Sequence, residues 1–366
     1  MYGNTGIPSR LTRRDALRLG GLGAVGLGLA ACSTGGTGNS PLGGNAPSVA
    51  TTDVPAPSPD LIKAAQKEGT LTFYTAFAAA ASAPLAGQFT AKYGIPVDVQ
   101  RLTSAIIETR FAAEAQAKKV VADVVQITDP PWYTNTAGPN GWLLTPSADE
   151  IPVLRTWPTK WTHQGQAFLQ CLDYSTIGYN TNLVTGSDVP TSWKDLLNPT
   201  WKGAIIFNDP RSNNTNLAWC LVMQQTFGDS FLQQLGQQKM QLVLSGISAA
   251  SSVAAGDAAI TIPSSQLQIA TVLAAGAPIK VMPMKEPTIG GEGWTAIAAN
   301  SPHPNAAKLF LNFALSQAGQ SVTCKDICAS VTNAPGAIPL PAQYESPPIA
   351  DAVAKRAELL GLLGLS

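Results

Sequence analysis

Histidine is almost missing from this chain: among 366 residues only His163 and His303 occur. Neither has cysteine partners at ligand spacing, which argues against a zinc site, and no hydrolase triad is visible. Charge is scarce as well. Only 13 % of residues are charged, and 23 basic side chains balance 23 acidic ones. A chain without a basic excess lacks the surface that displaces counterions from phosphates, which argues against nucleic-acid binding. There is no Gly-x-Ser-x-Gly elbow, no Gly-Lys-Ser phosphate loop and no run of metal ligands, so no cofactor is implied. A comfortable transmembrane helix needs about 20 mainly apolar residues, and the weakly apolar run from Leu19 to Ala31 is shorter and rich in glycine. Alanine, glycine, serine, threonine, asparagine and glutamine abound instead, with 45 % hydrophobic residues. That is the composition of a folded, polar-neutral protein. The length suffices for two lobes of about 100–150 residues each.

The beginning of the chain reads as an address. Arg13-Arg14 stands just before the Gly-rich apolar run, the arrangement of a twin-arginine export signal. Ala16 takes the place of the usual phenylalanine, so general secretory export stays open. The run ends at Leu29-Ala30-Ala31-Cys32, which resembles the lipobox of bacterial lipoproteins. We therefore expect an export signal over 1–32 and a diacylated Cys32, enough for durable anchoring to a membrane. Residues 33–59, mostly Gly, Ser, Thr, Asn and Pro, read as a flexible tether. Removal of Arg10, Arg13, Arg14, Arg18 and Asp15 with the signal leaves a small negative charge. Export implies an oxidising compartment. Cys324 and Cys328 lie one helical turn apart and could bridge, but the pairing of these two with Cys171 and Cys220 stays open.

Folded structure should begin near Asp60, with a short helix stopped by Gly69. Strands are expected at 71–75, 97–100 and 122–127, separated by helices ending at Tyr93 and spanning 106–118. This β-α-β-α-β alternation predicts an α/β fold, a parallel sheet with helices on its faces. Ligands bind such sheets at the carboxyl ends of the strands, here near Tyr74, Thr75, Thr103, Ser104 and Asp129. The alternation restarts with strands at 203–207 and 258–262, helices at 216–225 and after Gln266, and a return through 279–282. A strong helix is expected over 305–314, where Ala306, Phe310 and Phe313 recur at helical spacing.

Several segments resemble the extracellular solute-binding family that includes ferric-ion, thiamine and phosphonate binding proteins. They are Trp193-Lys194-Asp195-Leu196-Leu197, Trp201-Lys202-Gly203-Ala204-Ile205, Gly256-Asp257-Ala258-Ala259-Ile260, the run Ser301 to Phe310 beginning Ser-Pro-His-Pro-Asn, and Ser316-Gln317-Ala318-Gly319-Gln320. The resemblance implies a two-lobed type 2 periplasmic-binding-protein fold with two hinge strands, near 170–180 and 278–284. It assigns 60–170 and 279–366, with its C-terminal helices, to the first lobe and 171–278 to the second. It also implies a small-molecule solute held in the cleft, an ABC permease as membrane partner, and no catalysis.

The strongest candidate site runs from Asn208 through Arg211, Ser212, Asn213, Asn214 and Thr215. Short polar residues and one guanidinium precede a helix there, so free amides and the positive dipole end favour an anion. Arg211 is suited to a bidentate contact with carboxylate or phosphonate. A plain helix cap fits the same residues. Ser264, Ser265 and Gln266 form a second strand-to-helix junction. Ferric members of the family carry adjacent tyrosines at about this point, whereas this chain has serines, so iron would need other ligands. Thr103, Ser104, Tyr74, Thr75 and Asp129 are expected on the opposing wall. Trp132, Tyr133 and Trp294 are candidates for stacking, or core. Glu292, in Gly290-Gly291-Glu292-Gly293, is placed at the cleft as well. The expectation is a monomeric, exported, lipid-anchored capture protein for a polar or anionic solute. A lipoprotein enzyme or envelope sensor on the same scaffold is the alternative.

Overall fold

The computed structural model describes residues 56–365. The expected export signal, lipidated Cys32 and nearly all of the tether lie outside the described residues. Among the described residues the strands are β1 (Leu71–Thr75), β2 (Val97–Arg101), β3 (Val124–Ile127), β4 (Thr162–His163), β5 (Ala167–Tyr174), β6 (Thr176–Asn180), β7 (Ile205–Asn208), β8 (Gln241–Val243), β9 (Ile260–Ser264), β10 (Ile279–Met282) and β11 (Gly290–Ile297). They form two sheets, ordered β2-β1-β3-β11-β5-β4 and β10-β6-β9-β7-β8.

In the first sheet β1 pairs in parallel with β2 and β3, and β11 joins antiparallel to β3. Helices Ala79–Tyr93 and Ser104–Gln116 make the crossovers. The first ends at Gly94, whose φ of 72° is the left-handed conformation that stops a helix cheaply. The core of this lobe gathers on helix Pro304–Leu315, whose Phe310 ring lies 5.0 Å from Phe73 and 5.1 Å from Phe89. The Glu68 carboxylate accepts from the Ala306 amide at 2.8 Å and so caps this helix. The preceding Ser-Pro-His segment is held structurally. Asp123 accepts from the Ser301 hydroxyl at 2.6 Å and the His303 amide at 2.8 Å.

The second sheet is parallel where β7 meets β8 and β9, and antiparallel where β6 meets β9 and β10. Helix Asn214–Phe227 buries Trp219, Cys220 and Leu221 on one face of it, and helix Gly246–Ala255 covers the other.

Three connections join the lobes. The chain first crosses at Ser175, between β5 and β6. It returns over 283–289, later than the 278–284 expected, because β10 still pairs with β6 in the second sheet. These two crossings are bonded together: the Ser175 amide donates to the Ile289 carbonyl at 2.7 Å, and the Thr288 hydroxyl to the Ser175 carbonyl at 2.8 Å. The third connection departs from expectation. The C-terminal helices Ile349–Ala354 and Arg356–Leu362 do not rest on the first lobe. Ile349, Ala352, Leu359 and Leu363 are buried in the second lobe's core, where helix Asn214–Phe227 offers them apolar surface. Cys171, Cys220, Cys324 and Cys328 are buried free thiols. No helix among the described residues is long and apolar enough to cross a membrane.

Candidate functional site

A cavity of about 360 Å³ opens between the lobes. Five helices begin at its wall: Ala79–Tyr93 and Ser104–Gln116 from the first lobe, Asn214–Phe227, Gly246–Ala255 and Gln266–Ala274 from the second. Their N-cap residues Ala78, Thr103, Asn213, Ser245 and Ser265 all line it. Each of the four polar caps takes one amide of its own helix. Asn213 Oδ1 accepts from Thr215 at 2.7 Å, Ser265 Oγ from Gln268 at 3.2 Å, Thr103 Oγ1 from Ile106 at 3.4 Å and Ser245 Oγ from Ser248 at 3.5 Å. A helix start has four amides without intrahelical partners, so other donors remain at each end, with the positive dipole behind them. The convergence follows from the topology: strands of a parallel sheet end on one edge, and the following helices start there.

Of the expected residues, Thr103, Ser104, Asn208, Asn213, Thr215, Ser264 and Ser265 line this cavity. The others lie elsewhere. Tyr74 points to the opposite face of β1, where its hydroxyl donates to Glu114 at 2.8 Å and Arg110 covers its ring. Thr75 is fully buried and donates to Gln126 Oε1 at 2.6 Å. Asp129 lies beside Glu108; burial raises both carboxyls, and Asp129 helps to push Glu108 up to about 7. Arg211 is turned back on Asp209, its Nε 3.0 Å from Oδ1 and its Nη2 2.7 Å from Oδ2, so that the guanidinium is already matched to a carboxylate. That pair holds the Asp209 carboxyl below its ordinary range. The Ser212 hydroxyl donates to the Asp209 carbonyl at 2.8 Å, and Asn214 Oδ1 accepts from Arg356 at 2.8 Å. Gln266 opens its helix but is not in the wall.

Glu292 is 1 % exposed. It accepts from Ser346 at 2.7 Å and from Trp294 Nε1 and Tyr344 at 3.0 Å, so it holds the C-terminal strap, residues 343–348, which leads into the C-terminal helices. Burial raises its carboxyl, and the three donors offset part of that. Trp132, Tyr133 and Trp294 are core: Tyr133 Oη accepts from the Ile127 amide at 3.1 Å and donates to the Trp294 carbonyl, tying β3 to β11.

Sequence reasoning missed Asp173, Ser245, Gly246 and Gln268, all in the wall. Asp173 is the single acid in the otherwise apolar and polar-neutral β5, a signal that was available. Ser245 and Gly246 follow the three-residue β8, too short for its alternation to register. The wall also holds buried oxygens without hydrogen-bond partners: Asp173 Oδ1, Asn208 Oδ1, Ser264 Oγ and Gln268 Oε1. Burial pushes the Asp173 carboxyl up to about 7, opposed by the Ser265 hydroxyl and the Leu267 amide.

The sequence profile of the family described as bacterial extracellular solute-binding protein matches residues 155–348, over half of the chain, and the chain belongs to that family. An uncharacterized protein of Haemophilus influenzae is 31 % identical over 142 residues, which are 38 % of this chain and 41 % of that protein. The matched part is thus under half of that relative's length. Among solved structures, the substrate binding protein of an ABC transporter from Agrobacterium tumefaciens superposes with a TM-score of 0.68 at 15 % identity, over 81 % of this chain and 94 % of that one. Iron-bound HitA from Pseudomonas aeruginosa gives 0.63 at 20 % identity, over 81 % and 98 %. The periplasmic binding protein AfuA from Actinobacillus pleuropneumoniae, with exogenous fructose-6-phosphate bound, gives 0.63 at 22 % identity, over 81 % and 99 %. At such identities the likeness shows the fold, the two-lobed type 2 architecture of periplasmic binding proteins.

Proposed function

We propose that this protein captures a small polar or anionic solute between its lobes and delivers it to an ABC permease, acting as a monomer held to the outer face of the cytoplasmic membrane through Cys32. The observation that carries this reading is the convergence of five helix N-termini, from both lobes, on one inter-lobe cavity. An acidic group seated there meets unpaired amides and positive dipole ends, each worth about 0.3–1 kcal/mol at exposed sites and up to ~2 kcal/mol when partly buried. Because donors come from both lobes, the solute binds the closed form better than the open one and shifts the population toward closure. A permease that docks the closed form would then read occupancy.

Ferric iron is the less favoured cargo. Among the described residues no group of three His, Cys, Asp or Glu side chains is placed to hold a metal ion. Catalysis is not proposed, because the cavity wall contains no histidine or cysteine to pair with its single acid. Titration calorimetry against carboxylates, phosphonates, phosphate esters, thiamine and ferric complexes tests the reading. Binding by at least one acid at micromolar affinity is expected, and silence from every acid in the panel removes it.

A further inference from the structure

The helix starts account for an acidic group, but they leave the other chemistry of the wall without a use. Asp173 lies near the end of β5, opposite Gly291 of β11. Its Oδ2 accepts from the Ser265 hydroxyl at 2.9 Å, while Oδ1 is buried without a partner. Asn208 closes β7 and is 2 % exposed. Its Nδ2 donates to the Pro263 carbonyl at 2.6 Å, which fixes the amide and leaves Oδ1 buried and unpaired. Gln268, whose Oε1 is unpaired too, belongs to the same wall. The one cation among the lining residues is Arg101, exposed on the first lobe. Buried acceptors without donors are costly, most of all a carboxylate, so these oxygens call for a donor.

We infer that Asp173 and Asn208 form an acceptor pole that selects the solute by a protonated amine, so that the cargo is a small zwitterion with its acidic group at the helix N-termini. The inference rests on the anion reading above and narrows it. An ammonium carries three donors and no acceptor, the complement of an unpaired carboxylate oxygen and an unpaired amide oxygen in one cavity wall. It also holds Asp173 ionised in surroundings that by themselves favour the neutral acid. Donors from the Ser265 hydroxyl and the Leu267 amide would make Asp173 an ordinary helix cap, but they leave Asp173 Oδ1 and Asn208 Oδ1 unpaired.

Matched probes decide it. Titration calorimetry at pH 8 compares O-phosphoethanolamine with ethyl phosphate, β-alanine with propionate, and ethylamine alone, on the wild type and on Asp173→Asn. The amine-bearing member of at least one pair should bind tenfold or more tighter in the wild type, and its advantage should fall below threefold in Asp173→Asn. Should the variant fail to fold, the wild-type comparison stands by itself. Equal affinity within both pairs overturns the acceptor pole and leaves the anion reading standing. Binding by ethylamine and the amine-bearing probes, with none by ethyl phosphate or propionate, supports the pole and overturns the anion reading. No binding by any probe overturns both.

Discussion

Tyr344 donates its hydroxyl to Glu292 at 3.0 Å, and through that bond the C-terminal strap is fastened to β11, a strand beside the hinge. Ser346 adds a second bond at 2.7 Å, and the backbone of Thr288 is paired with Gln343 and Glu345 on either side. The strap leads directly into Ile349 and the second lobe's core, so the Glu292 carboxylate supplies the side-chain anchor of a connection joining both lobes. Glu292→Ala would leave Trp294 Nε1, Tyr344 Oη and Ser346 Oγ without their acceptor. A loss of about 2–4 kcal/mol is expected, since each buried group left unpaired costs about 1–3 kcal/mol and part of the strap can relax toward water. Urea unfolding reads it as a lower midpoint. A midpoint within error of the wild type would show that the strap is held by other contacts.

Arg211 and Asn208 were both legible as site candidates, and the structure separates them. Arg211 spends its guanidinium on Asp209, while Asn208 presents an unpaired oxygen to the cavity wall. Arg211→Ala should therefore change solute affinity less than twofold. Asn208→Ala should weaken it by about 1–3 kcal/mol, roughly 5- to 150-fold, as loss of a buried polar contact does. Calorimetry on both variants with the same solute checks the pair. The reverse ranking would return Arg211 to the site.

Asp173 also gives stability a pH dependence. Burial disfavours its charged form, so the carboxyl is pushed up to about 7 in the folded protein, against 3.8 ordinarily. Between those values the native state binds a proton that the unfolded chain has released, so stability falls as pH rises across this window. The contribution is complete below about pH 4 and is gone above the folded value. Glu108, pushed up to about 7 for a similar reason, slopes the same way, so the wild type alone cannot assign the effect. Asp173→Asn should flatten the decline between pH 4 and 7 by a few kcal/mol in total, because each pH unit crossed in that window removes about 1.4 kcal/mol. Parallel wild-type and variant curves from denaturant titrations at several pH values would mean that Asp173 is solvated.

Elements with a strong period were legible in the sequence to within a few positions. The helix predicted over 305–314 is Pro304–Leu315, and Gly94 and Gly69 stop helices where expected. Caps were legible because Thr103, Asn213 and Ser265 have short polar side chains that favour the N-cap of a helix at a strand-to-helix turn. What they face was not. Tyr74 and Thr75 sit at the right strand end, but successive side chains take opposite faces, and neither of these lines the cavity. The destination of the C-terminal helices was hidden for a related reason. An apolar stripe such as Ile349, Ala352 and Leu359 states that a core is needed without stating which.

The hinge depends on a close approach of two backbones. Gly290 begins β11 opposite Tyr174, the residue before the first crossing at Ser175. A Cβ on Gly290 would lie 2.3 Å from the Asp173 carbonyl oxygen and 2.4 Å from Tyr174 Cα. Both are backbone atoms, so no rotamer change relieves the contact, and the two strands must separate. Overpacking of this kind costs about 1–3 kcal/mol, occasionally more. Because Asp173 rides on the displaced strand, Gly290→Ala should impair binding as well as stability. By contrast, Gly291→Ala would bring its Cβ only to 3.8 Å from Thr128 Cγ2 and 4.0 Å from Asp173 Cβ, ordinary contact distances, and should leave the fold intact. Thermal melts of the two variants side by side separate the explanations. Equal losses would show that glycine is needed at this edge for flexibility rather than for the closeness of the two backbones.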